Sequence, residues 1–480
     1  MPHQPADTTP RRHTADPAQT RDQLAGIRPD LLERYDAALP GARAAIMSRL
    51  RHALAHEPLP HPPGTDQSGE DPVELTARLW PGTRLIPEIA NSVANLALAR
   101  AAATPEHLPD PADPAALGHL EQMLVDGHPL HPCCRTRTGM TVADVLTYAP
   151  EHRPVIHLRR LRVPPDRWYG TAAPILLAHP WQAARLRHRY PWLTDDGPTG
   201  PVRPLMSLRT VAPLDGGPHI KTAVDIQMTS AVRTVSPAAV HNGPRLSALL
   251  TKLTADLPLD VLTETEAGAV ITEHGPDRHL AHLIRAAPHL GPGEIAVPLG
   301  VLATSPILMT TAGHPYTFVK DLGRVLFAPL ARVLHRGVAL EAHGQNTLVV
   351  LAHGRAVRSL YRDLGGVRVH AGRLTAAGLD PPDLHGDLPT GDDTELRTKL
   401  AAAALGTVAQ QLITALSEHH GTEPERLWHL LAAAIRETAT PDVTHLLTDP
   451  LPVKATTAMR LAADPLTDIW THQPNPMAAQ

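Results

Sequence analysis

The sequence predicts a multidomain α+β protein, and three observations favour that fold class. The chain has 480 residues, which is enough for about three domains of roughly 150 residues each. Hydrophobic residues make up 42% of the chain, so a sizeable core is available. Their spacing is mainly helical in the first third, and near residue 153 it changes to a mixture of strand and helix patterns.

The first third is predicted to be mainly helical. Helical patterning covers residues 23–56, with an interruption at Pro40, and returns over residues 73–103. The proline-rich residues 104–115 indicate a surface loop. Residues 1–22 lack the apolar core of a secretion signal, so we expect a flexible tail there.

The middle third is expected to mix strands with helices. Residues 154–163 and 204–214 are predicted to include strands, and residues 219–228 alternate apolar and polar side chains with a period of two. A helix is expected after Asn242, with Pro244 in its first turn.

The last third is expected to combine helices with short strands. The predicted elements are a helix at 321–336, a strand at 347–353, a polar and apolar segment at 361–370, a loop at 379–394 and helices at 395–418 and 424–437. From these changes along the chain we predict a tail at 1–22, a helical domain at 23–150, a mixed domain at 151–304 and a third domain at 305–480.

Composition excludes several classes of protein. The chain has 44 basic and 48 acidic residues and no long basic run, which argues against a nucleic-acid partner. Its two cysteines, Cys133 and Cys134, are adjacent and rarely pair in such a position, so we expect a reducing compartment. The sequence contains no run of eighteen apolar residues and neither a Walker-type phosphate loop nor a Rossmann glycine fingerprint. We therefore expect a cytoplasmic protein without a membrane partner.

The segment GHPLHPCCRTRTG, residues 127–139, concentrates polar groups suited to binding. It contains His128, His131, Cys133, Cys134, Arg135 and Arg137. The prolines that follow both histidines argue against a helix, and the spacing matches no standard zinc finger. Three interpretations remain open: a zinc site made by the two histidines and two cysteines, which the spacing disfavours, a proline-stiffened loop, or an anion site in which imidazoles and guanidinium groups hold a polycarboxylate.

Two further stretches carry anion-binding side chains. In MSLRT, Ser207 and Arg209 are two residues apart and would share one face of a strand. In residues 219–236, Lys221, Asp225 and Thr229 recur every four residues, and Arg233 follows at the predicted strand end. A hydroxyl beside cationic groups suits a phosphate, although a solvated strand face would look the same.

The stretch LEAHGQNTLVV, residues 340–350, gathers four polar groups at a strand entrance. Glu341, His343, Gln345 and Asn346 are followed by Asp363, seventeen residues after the asparagine. An Asn and an Asp joined by a short strand resemble the magnesium pair of kinase-like folds. Oxygen ligands from Glu341, Asn346 and Asp363 would suit Mg²⁺, and His343 would then reach a phosphate or acyl oxygen. A capped turn before a strand is the alternative.

Taken in order, these motifs resemble a known family. They are similar to motifs of the IucA/IucC siderophore synthetases of the aerobactin type. The matching stretches are HPxHP, HPWQ (179–182), SxRT, KTxxDxxxTSxxRxxS, NGP (242–244), EAHGQN and RDxGG. These enzymes work independently of nonribosomal peptide synthetases. The segment KATTAMRL, residues 454–461, resembles the C-terminal helix of the same family.

The resemblance implies an architecture and an activity. It implies a cupped hand with a helical thumb, mixed α/β fingers and a kinase-like palm that ends in C-terminal helices. ATP and Mg²⁺ would bind between fingers and palm. The implied chemistry is the adenylation of a carboxylic acid such as citrate or a dicarboxylate derivative, followed by condensation with an amine or hydroxyl in siderophore biosynthesis for iron acquisition. A homodimer is also implied.

The resemblance assigns roles to individual residues. Catalysis would fall to His343, Arg233 and Lys221. Nucleotide binding would fall to Ser207, Arg209, Lys221, Gln345, Asn346 and Asp363. The acid would contact His128, His131, Arg135, Thr229 and Arg233, and the metal would contact Glu341, Asn346 and Asp363. Arg362 and Lys454 lie in matching segments. Arg135 stands where the family usually has lysine, so acid specificity is expected to differ.

Two alternatives belong to different functional classes. A small-molecule phosphotransferase would release ADP and would need a catalytic aspartate a few residues before Asn346, where Glu341 and His343 stand instead. A non-catalytic relative would have lost the serine, arginine, lysine or aspartate of the motifs, and all are present.

Overall fold

The chain folds into mixed helical and sheet layers in this computed structural model, which describes residues 15–60, 67–229, 231–464 and 467–478. The helices are α1 Pro17–Ile27, α2 Leu32–His56, α3 Pro72–Leu79, α4 Leu85–Ala102, α5 Ala116–Glu121, α6 Val142–Tyr148, α7 Pro180–Arg189, α8 Pro237–Thr254, α9 Leu299–Leu302, α10 Pro306–Thr311, α11 Pro315–Leu322, α12 Ala328–His335, α13 Ala371–Ala376, α14 Asp393–Leu400, α15 Gln410–His420, α16 Pro424–Arg436, α17 Val443–Thr448 and α18 Thr456–Leu461.

The strands are mostly short. They are β1 Arg137–Thr138, β2 Arg159–Arg162, β3 Trp168–Gly170, β4 Ile175–Ala178, β5 Thr194–Pro198, β6 Val202–Pro204, β7 Thr210–Pro213, β8 His219–Thr222, β9 Val224–Met228, β10 Ala231–Arg233, β11 Leu259–Val261, β12 Glu266–Thr272, β13 Gly275–Arg285, β14 Glu294–Pro298, β15 Val338–Ala339, β16 Thr347–Ala352, β17 Arg355–Tyr361, β18 Arg368–His370, β19 Pro389–Thr390, β20 Leu451–Lys454 and β21 Trp470–Gln473.

The first third is helical, as the sequence predicts, with two corrections. Helix α1 begins at Pro17, where Asp16 accepts a hydrogen bond from the Gln19 amide, so the expected tail does not extend to residue 22. Residues 1–14 lie outside the described chain. Helix α2 also continues through Pro40, because its apolar face packs along α4 and tertiary contact outweighs the proline.

Two sheets join segments that the sequence analysis places in different domains. One has the order β11-β17-β16-β14, so strands before residue 304 pair with strands after it. In another, β1 pairs with β9 across residue 150. The core of the first helices also includes Val224, Ile226 and Met228 of β9. This sharing of strands and core is what brings distant motifs into one place.

The local structure of the middle third differs from the sequence prediction at three points. Ser207 and Arg209 lie in the turn between β6 and β7, and not on a strand. Lys221 lies on β8 and Asp225 on β9, which belong to different sheets, so the four-residue interval does not define one face. Helix α8 begins at Pro237 with Ser236 as its N-cap, which leaves Pro244 in the helix interior. The six-stranded sheet has the order β3-β12-β13-β8-β7-β6.

The last third buries its helices in the largest core. Helices α11, α12, α14, α15 and α16 pack with β16 and β17, in agreement with the predicted pattern. The continuous helical segment Asp393–His420 is the single candidate, among the described residues, that is long and apolar enough to cross a membrane, and 67% of its most apolar window is buried inside the protein. Residues Ala401–Ala409 of this segment form wider π-helical turns, where Gly406 allows the Pro452 carbonyl to approach.

Candidate active site

A cavity of about 450 Å³ gathers most of the predicted site residues. Its walls come from residues 124–137, from the β6–β10 region and from the segments that carry EAHGQN and KATTAMRL. The predicted residues that line it are His128, His131, Arg135, Ser207, Thr229, Arg233, Glu341, His343, Gln345 and Lys454. Motifs more than 300 residues apart therefore face one space.

Lys221 and Asp363 form an ion pair beside this cavity. Lys221 Nζ lies 2.6 Å from Asp363 Oδ1, and Arg285 lies 3.7 Å from the second carboxylate oxygen. Burial raises the pKa of Asp363, but Lys221, Arg285 and Arg209 outweigh it and hold that pKa well below its usual range. Burial lowers the pKa of Lys221, and the charge of Asp363 opposes that change. Asp363 has a positive φ of 71°, a costly conformation that orients its side chain.

Two predicted arginines lie next to this pair. Arg209 is held by the Thr234 carbonyl, and Arg233 Nη2 donates to the Met228 carbonyl at 3.1 Å. Burial, followed by repulsion from Arg233, lowers the pKa of Arg209 to about 10. Burial also lowers the pKa of Arg233. Buried cations that lie close together raise the free energy of the folded protein, and an anion that binds among them lowers it.

Three cavity histidines share one hydrogen-bonding pattern. The Nδ1 atoms of His128, His131 and His343 accept backbone N–H groups at 3.2, 3.0 and 3.3 Å respectively. A neutral imidazole that accepts at Nδ1 carries its proton on Nε2. Burial lowers the pKa of His131 well below its ordinary value and also lowers that of His343, so these rings are neutral near pH 7. The Nε2–H groups of His128 and His343 can therefore donate to a carboxylate or phosphate oxygen.

The Arg135 guanidinium is held within the cavity wall. Its guanidinium lines the cavity but bonds to Glu151 at 3.0 Å and to the Val125 and Leu124 carbonyls. Arg137 contacts the same carboxylate at 3.2 Å. Burial raises the pKa of Glu151, but the two arginines outweigh it and bring the pKa to about 2. Arg135 therefore anchors the cavity wall through three of its five N–H groups.

Glu341, a predicted metal ligand, is held by two lysines. Its Oε1 atom lies 2.9 Å from Lys399 Nζ and 3.2 Å from Lys454 Nζ, and both lysines also face Asp468. Burial raises the pKa of Glu341, but the two lysines outweigh it and lower the pKa to about 2. A carboxylate between two ammonium groups is a poor Mg²⁺ ligand.

Asn346 and Asp363 fit a metal better than Glu341, because, of the described cations, only Lys221 lies within hydrogen-bonding distance of Asp363, while Arg285 is 3.7 Å away. They follow one another across the open end of the β16–β17 hairpin, where the Arg362 amide donates to the Asn346 carbonyl at 2.9 Å. Amide and carboxylate oxygens are hard ligands that suit Mg²⁺.

Four charged residues of the site region were not predicted from the sequence: Glu121, Glu264, Arg285 and Lys399. Glu121 Oε1 lies 2.5 Å from Arg362 Nη1, and its Oε2 accepts the Met206 amide, so it ties the SxRT turn to Arg362. Arg362 in turn donates to the Gln345 carbonyl. Glu264 anchors Arg285 at 2.7 Å. No short-range pattern marks these residues, because every partner is distant in sequence.

The zinc reading of residues 128–134 has no support. Among the described residues, the one group of three or more histidine, cysteine or carboxylate ligands within 4.8 Å is His241, Asp383 and His385. Both Nδ1 atoms of the histidine pair in the HPxHP segment already accept backbone amides.

A second cavity of about 610 Å³ adjoins the first. The two share Glu341, Lys399, Asp468 and Trp470 as lining residues. The second is lined by five carboxylates and two cationic side chains, whereas cations outnumber carboxylates in the first. The site therefore has a cationic chamber beside an acidic one.

The chain is similar in sequence and in fold to known proteins. The family described as "IucA / IucC family" matches residues 116–174 and 170–304, and a second family, described as "Ferric iron reductase FhuF-like transporter", matches residues 317–477. Staphyloferrin A synthase of Staphylococcus aureus is 26% identical over 397 residues, covering 71% of this chain and 68% of that protein.

Two further relatives extend the comparison. D-ornithine–citrate ligase of S. aureus is 21% identical over 334 residues, covering 53% of this chain and 50% of that protein. The ATP-bound aerobactin synthetase IucA of Klebsiella pneumoniae has the same fold, with a TM-score of 0.70 and 20% identity over 92% of this chain and 87% of that one. The sequence and fold matches together show that the chain belongs to the IucA/IucC family of siderophore synthetases that act independently of nonribosomal peptide synthetases.

Proposed function

We propose that the chain is an ATP-dependent ligase that converts a carboxylic acid into an acyl-adenylate and joins it to an amine or hydroxyl in siderophore biosynthesis. One observation carries this proposal: cations and neutral imidazole donors converge on a single cavity. Arg233, Lys399 and Lys454 line it beside the Nε2 donors, and Lys221 and Arg209 lie adjacent. Two anions have to meet for adenylation, and such a setting offsets their repulsion.

The first step would bond a carboxylate oxygen to the α-phosphorus of ATP and break the bond to the β-phosphate, which releases pyrophosphate. Arg233, Arg209 and Lys221 would hold the triphosphate and the acid. His343 would donate Nε2–H to the α-phosphate or acyl oxygen. Losing one such donor typically costs about 3 kcal/mol, roughly a hundredfold in rate. Ser207 and Gln345 would complete the nucleotide contacts.

The acid would bind at the HPxHP side of the cavity. His128 and His131 would donate to its carboxylates, and Thr229, on the turn after β9, would contact the same group. The ligases that act on citrate among the relatives support citrate or a related polycarboxylate. Arg135, with three of its five N–H donors used inside this wall, would shape the wall.

Mg²⁺ would be held by Asn346 and Asp363, where it would supply positive charge to the phosphates. These residues would keep the triphosphate in register with Lys221. We leave Glu341 out of this set because Lys399 and Lys454 hold it.

The second step would bond the acceptor nitrogen or oxygen to the acyl carbon and break the acyl–phosphate bond, which releases AMP. The acidic second cavity meets the first at Glu341 and Asp468 and would favour approach of a protonated amine. The amine must lose a proton before it attacks.

We further propose a thumb, fingers and palm arrangement, a homodimer and a cytoplasmic location, as the family resemblance implies.

Pyrophosphate and AMP release with purified protein, ATP, Mg²⁺ and a panel of carboxylic acids would test the proposal. We expect acid-dependent pyrophosphate release, and amide or ester formation when diamines or amino alcohols are added. Release of ADP would favour a phosphotransferase, and no turnover with any acid would favour a non-catalytic relative.

A further inference from the structure

A second cluster of polar side chains lies outside both cavities. It consists of His241 on α8 and of Asp383 and His385 on the connection between α13 and β19. Their ligand atoms all lie within 4.8 Å of one another. None of the three lines either cavity described above.

Asn242 fixes the backbone that carries His385. Its Nδ2 donates to the His385 carbonyl at 2.8 Å, and its Oδ1 accepts the His385 amide at 2.9 Å. Asn242 is 2% exposed, so this clamp is buried. It is also the asparagine of the NGP motif, to which the proposed chemistry assigns no part. The clamp keeps an otherwise exposed connection in one position against α8.

The ring of His241 is oriented as in many metal-binding histidines. Its Nδ1 lies 3.5 Å from the Tyr169 hydroxyl, and its Nε2 lies 3.5 Å from Asp383 Oδ2. Within the described part of the chain, this buried Nε2 has no hydrogen-bond partner. A histidine that ligates through one ring nitrogen usually has the other nitrogen hydrogen-bonded, which fixes the tautomer. A buried nitrogen without a hydrogen bond is costly unless another partner binds it.

We propose that His241, Asp383 and His385 bind a divalent transition-metal ion of the Zn²⁺ class. Two imidazoles and one carboxylate suit such ions, whereas Mg²⁺ prefers oxygen ligands alone. The His385 ring stacks on His241 at 3.6 Å between centroids, with 6° between the planes. Because a metal lies in the plane of each imidazole that it binds, His385 rotates out of this stack on binding. Its exposure leaves room for that rotation.

Metal titration of the full-length protein tests this site. Co²⁺ serves as the probe, since its visible absorption reports nitrogen ligands, and Zn²⁺ competes for it; ATP is left out. We expect one saturable equivalent of Co²⁺ that Zn²⁺ displaces. His241→Ala and His385→Ala should each weaken binding by at least about tenfold, and Tyr169→Phe by about tenfold. Circular dichroism verifies the fold of each variant.

His274→Ala is the matched control. His274 also faces a carboxylate, Glu273, at 3.5 Å, but it belongs to no three-ligand group. With 30 histidines in the chain, weak binding elsewhere is expected, and the control measures it. Unchanged binding in folded His241→Ala and His385→Ala, or no saturable equivalent in the wild type, overturns the proposal. This result is independent of the acid-dependent assay, so each proposal stands or fails separately.

Discussion

Lys221 Nζ and Asp363 Oδ1 lie 2.6 Å apart, although 142 residues separate them in sequence. The contact joins β8 of the six-stranded sheet to the segment that follows β17 of the four-stranded sheet. It therefore brings a cation from one sheet to a carboxylate from the other at the edge of the cavity. Both residues belong to the proposed nucleotide site.

A double-mutant cycle on this pair separates its contribution to stability from its contribution to activity. Lys221→Ala leaves Asp363 with Arg285 at 3.7 Å and with the charge of Arg209, so we expect a lower unfolding temperature and a loss of pyrophosphate release of about a hundredfold. Adding Asp363→Asn removes the carboxylate that has lost its closest cation and should restore part of the unfolding temperature while leaving activity low. Thermal unfolding and initial rates measure the two effects.

Lys252→Ala is the matched control for the cycle, because Lys252 is exposed on α8. We expect it to change neither quantity. Additive effects of Lys221→Ala and Asp363→Asn on the unfolding temperature would contradict the coupling, since side chains in direct contact are expected to be non-additive.

Arg233→Ala and His343→Ala should abolish turnover and leave the fold intact. Arg233 makes one backbone contact, at 3.1 Å, and His343 accepts one amide, so little folding energy depends on either. Both face the cavity where the α-phosphate is proposed to bind. Pyrophosphate release and circular dichroism test this, with His335→Ala and Arg332→Ala on the exposed side of α12 as controls. Retained activity in both variants would remove these residues from the proposed site.

The site residues that stand in short motifs could be predicted from the sequence, but the long-range contacts of the site could not. His343, Gln345 and Ser207 stand in short motifs whose polar groups are visible in any window, and they line one cavity. Glu121 has no such pattern, because its partner Arg362 is 241 residues away. Glu341 was assigned to a metal because Lys399 and Lys454, which neutralise it, come from distant segments. Ion-pair partners are decided by packing, which the local pattern does not encode.

The same limit applies to the fold. Helix α16 was predicted with nearly correct ends, whereas α2 ends as predicted at residue 56 but begins at Leu32 and not at residue 23. The predicted break at Pro40 was wrong, because packing on α4 maintains the helix. Strand pairings across residues 150 and 304 were not predictable, since short strands give no signal about their neighbours.

Glu121→Gln should weaken both stability and activity. The pair with Arg362 is almost fully buried, at 0% and 3% side-chain exposure, so an unpaired Arg362 costs about 3 kcal/mol or more. Because Glu121 also holds the Met206 amide next to Ser207, we expect a higher KM for ATP in addition to a lower unfolding temperature. Adding Arg362→Gln should recover part of the unfolding temperature without recovering the KM. Glu273→Gln, on an exposed carboxylate, is the control.

Glu341→Gln distinguishes the ion-pair role of this residue from a metal role. With Lys399 and Lys454 as its partners, we expect the Mg²⁺ concentration for half-maximal rate to stay unchanged while the KM for acid or amine rises. The measurement is a Mg²⁺ titration of the initial rate at saturating ATP. A rise of about tenfold in the Mg²⁺ requirement would return Glu341 to the metal set.

His179, the first residue of HPWQ, should make the protein less stable in acid. Its ring is fully buried, its Nδ1 accepts the Trp181 amide at 3.2 Å, and burial lowers its pKa to about 3. In the unfolded chain the same group titrates near pH 6.5. Below that pH the unfolded state binds a proton that the native state does not, so stability falls as pH falls, by up to about 1.4 kcal/mol per pH unit.

His179→Asn keeps an N-cap acceptor for α7 and removes the titration. The variant should be less stable near neutral pH, because the smaller side chain leaves space in the core. Its urea midpoint should nevertheless fall less steeply than that of the wild type between about pH 6 and about pH 4, so the two curves converge in acid. His188→Asn, on the exposed side of the same helix, should follow the wild type. Parallel curves for His179→Asn and the wild type would mean that His179 is protonated in the native state as readily as in the unfolded one, and burial would then not be what controls its charge.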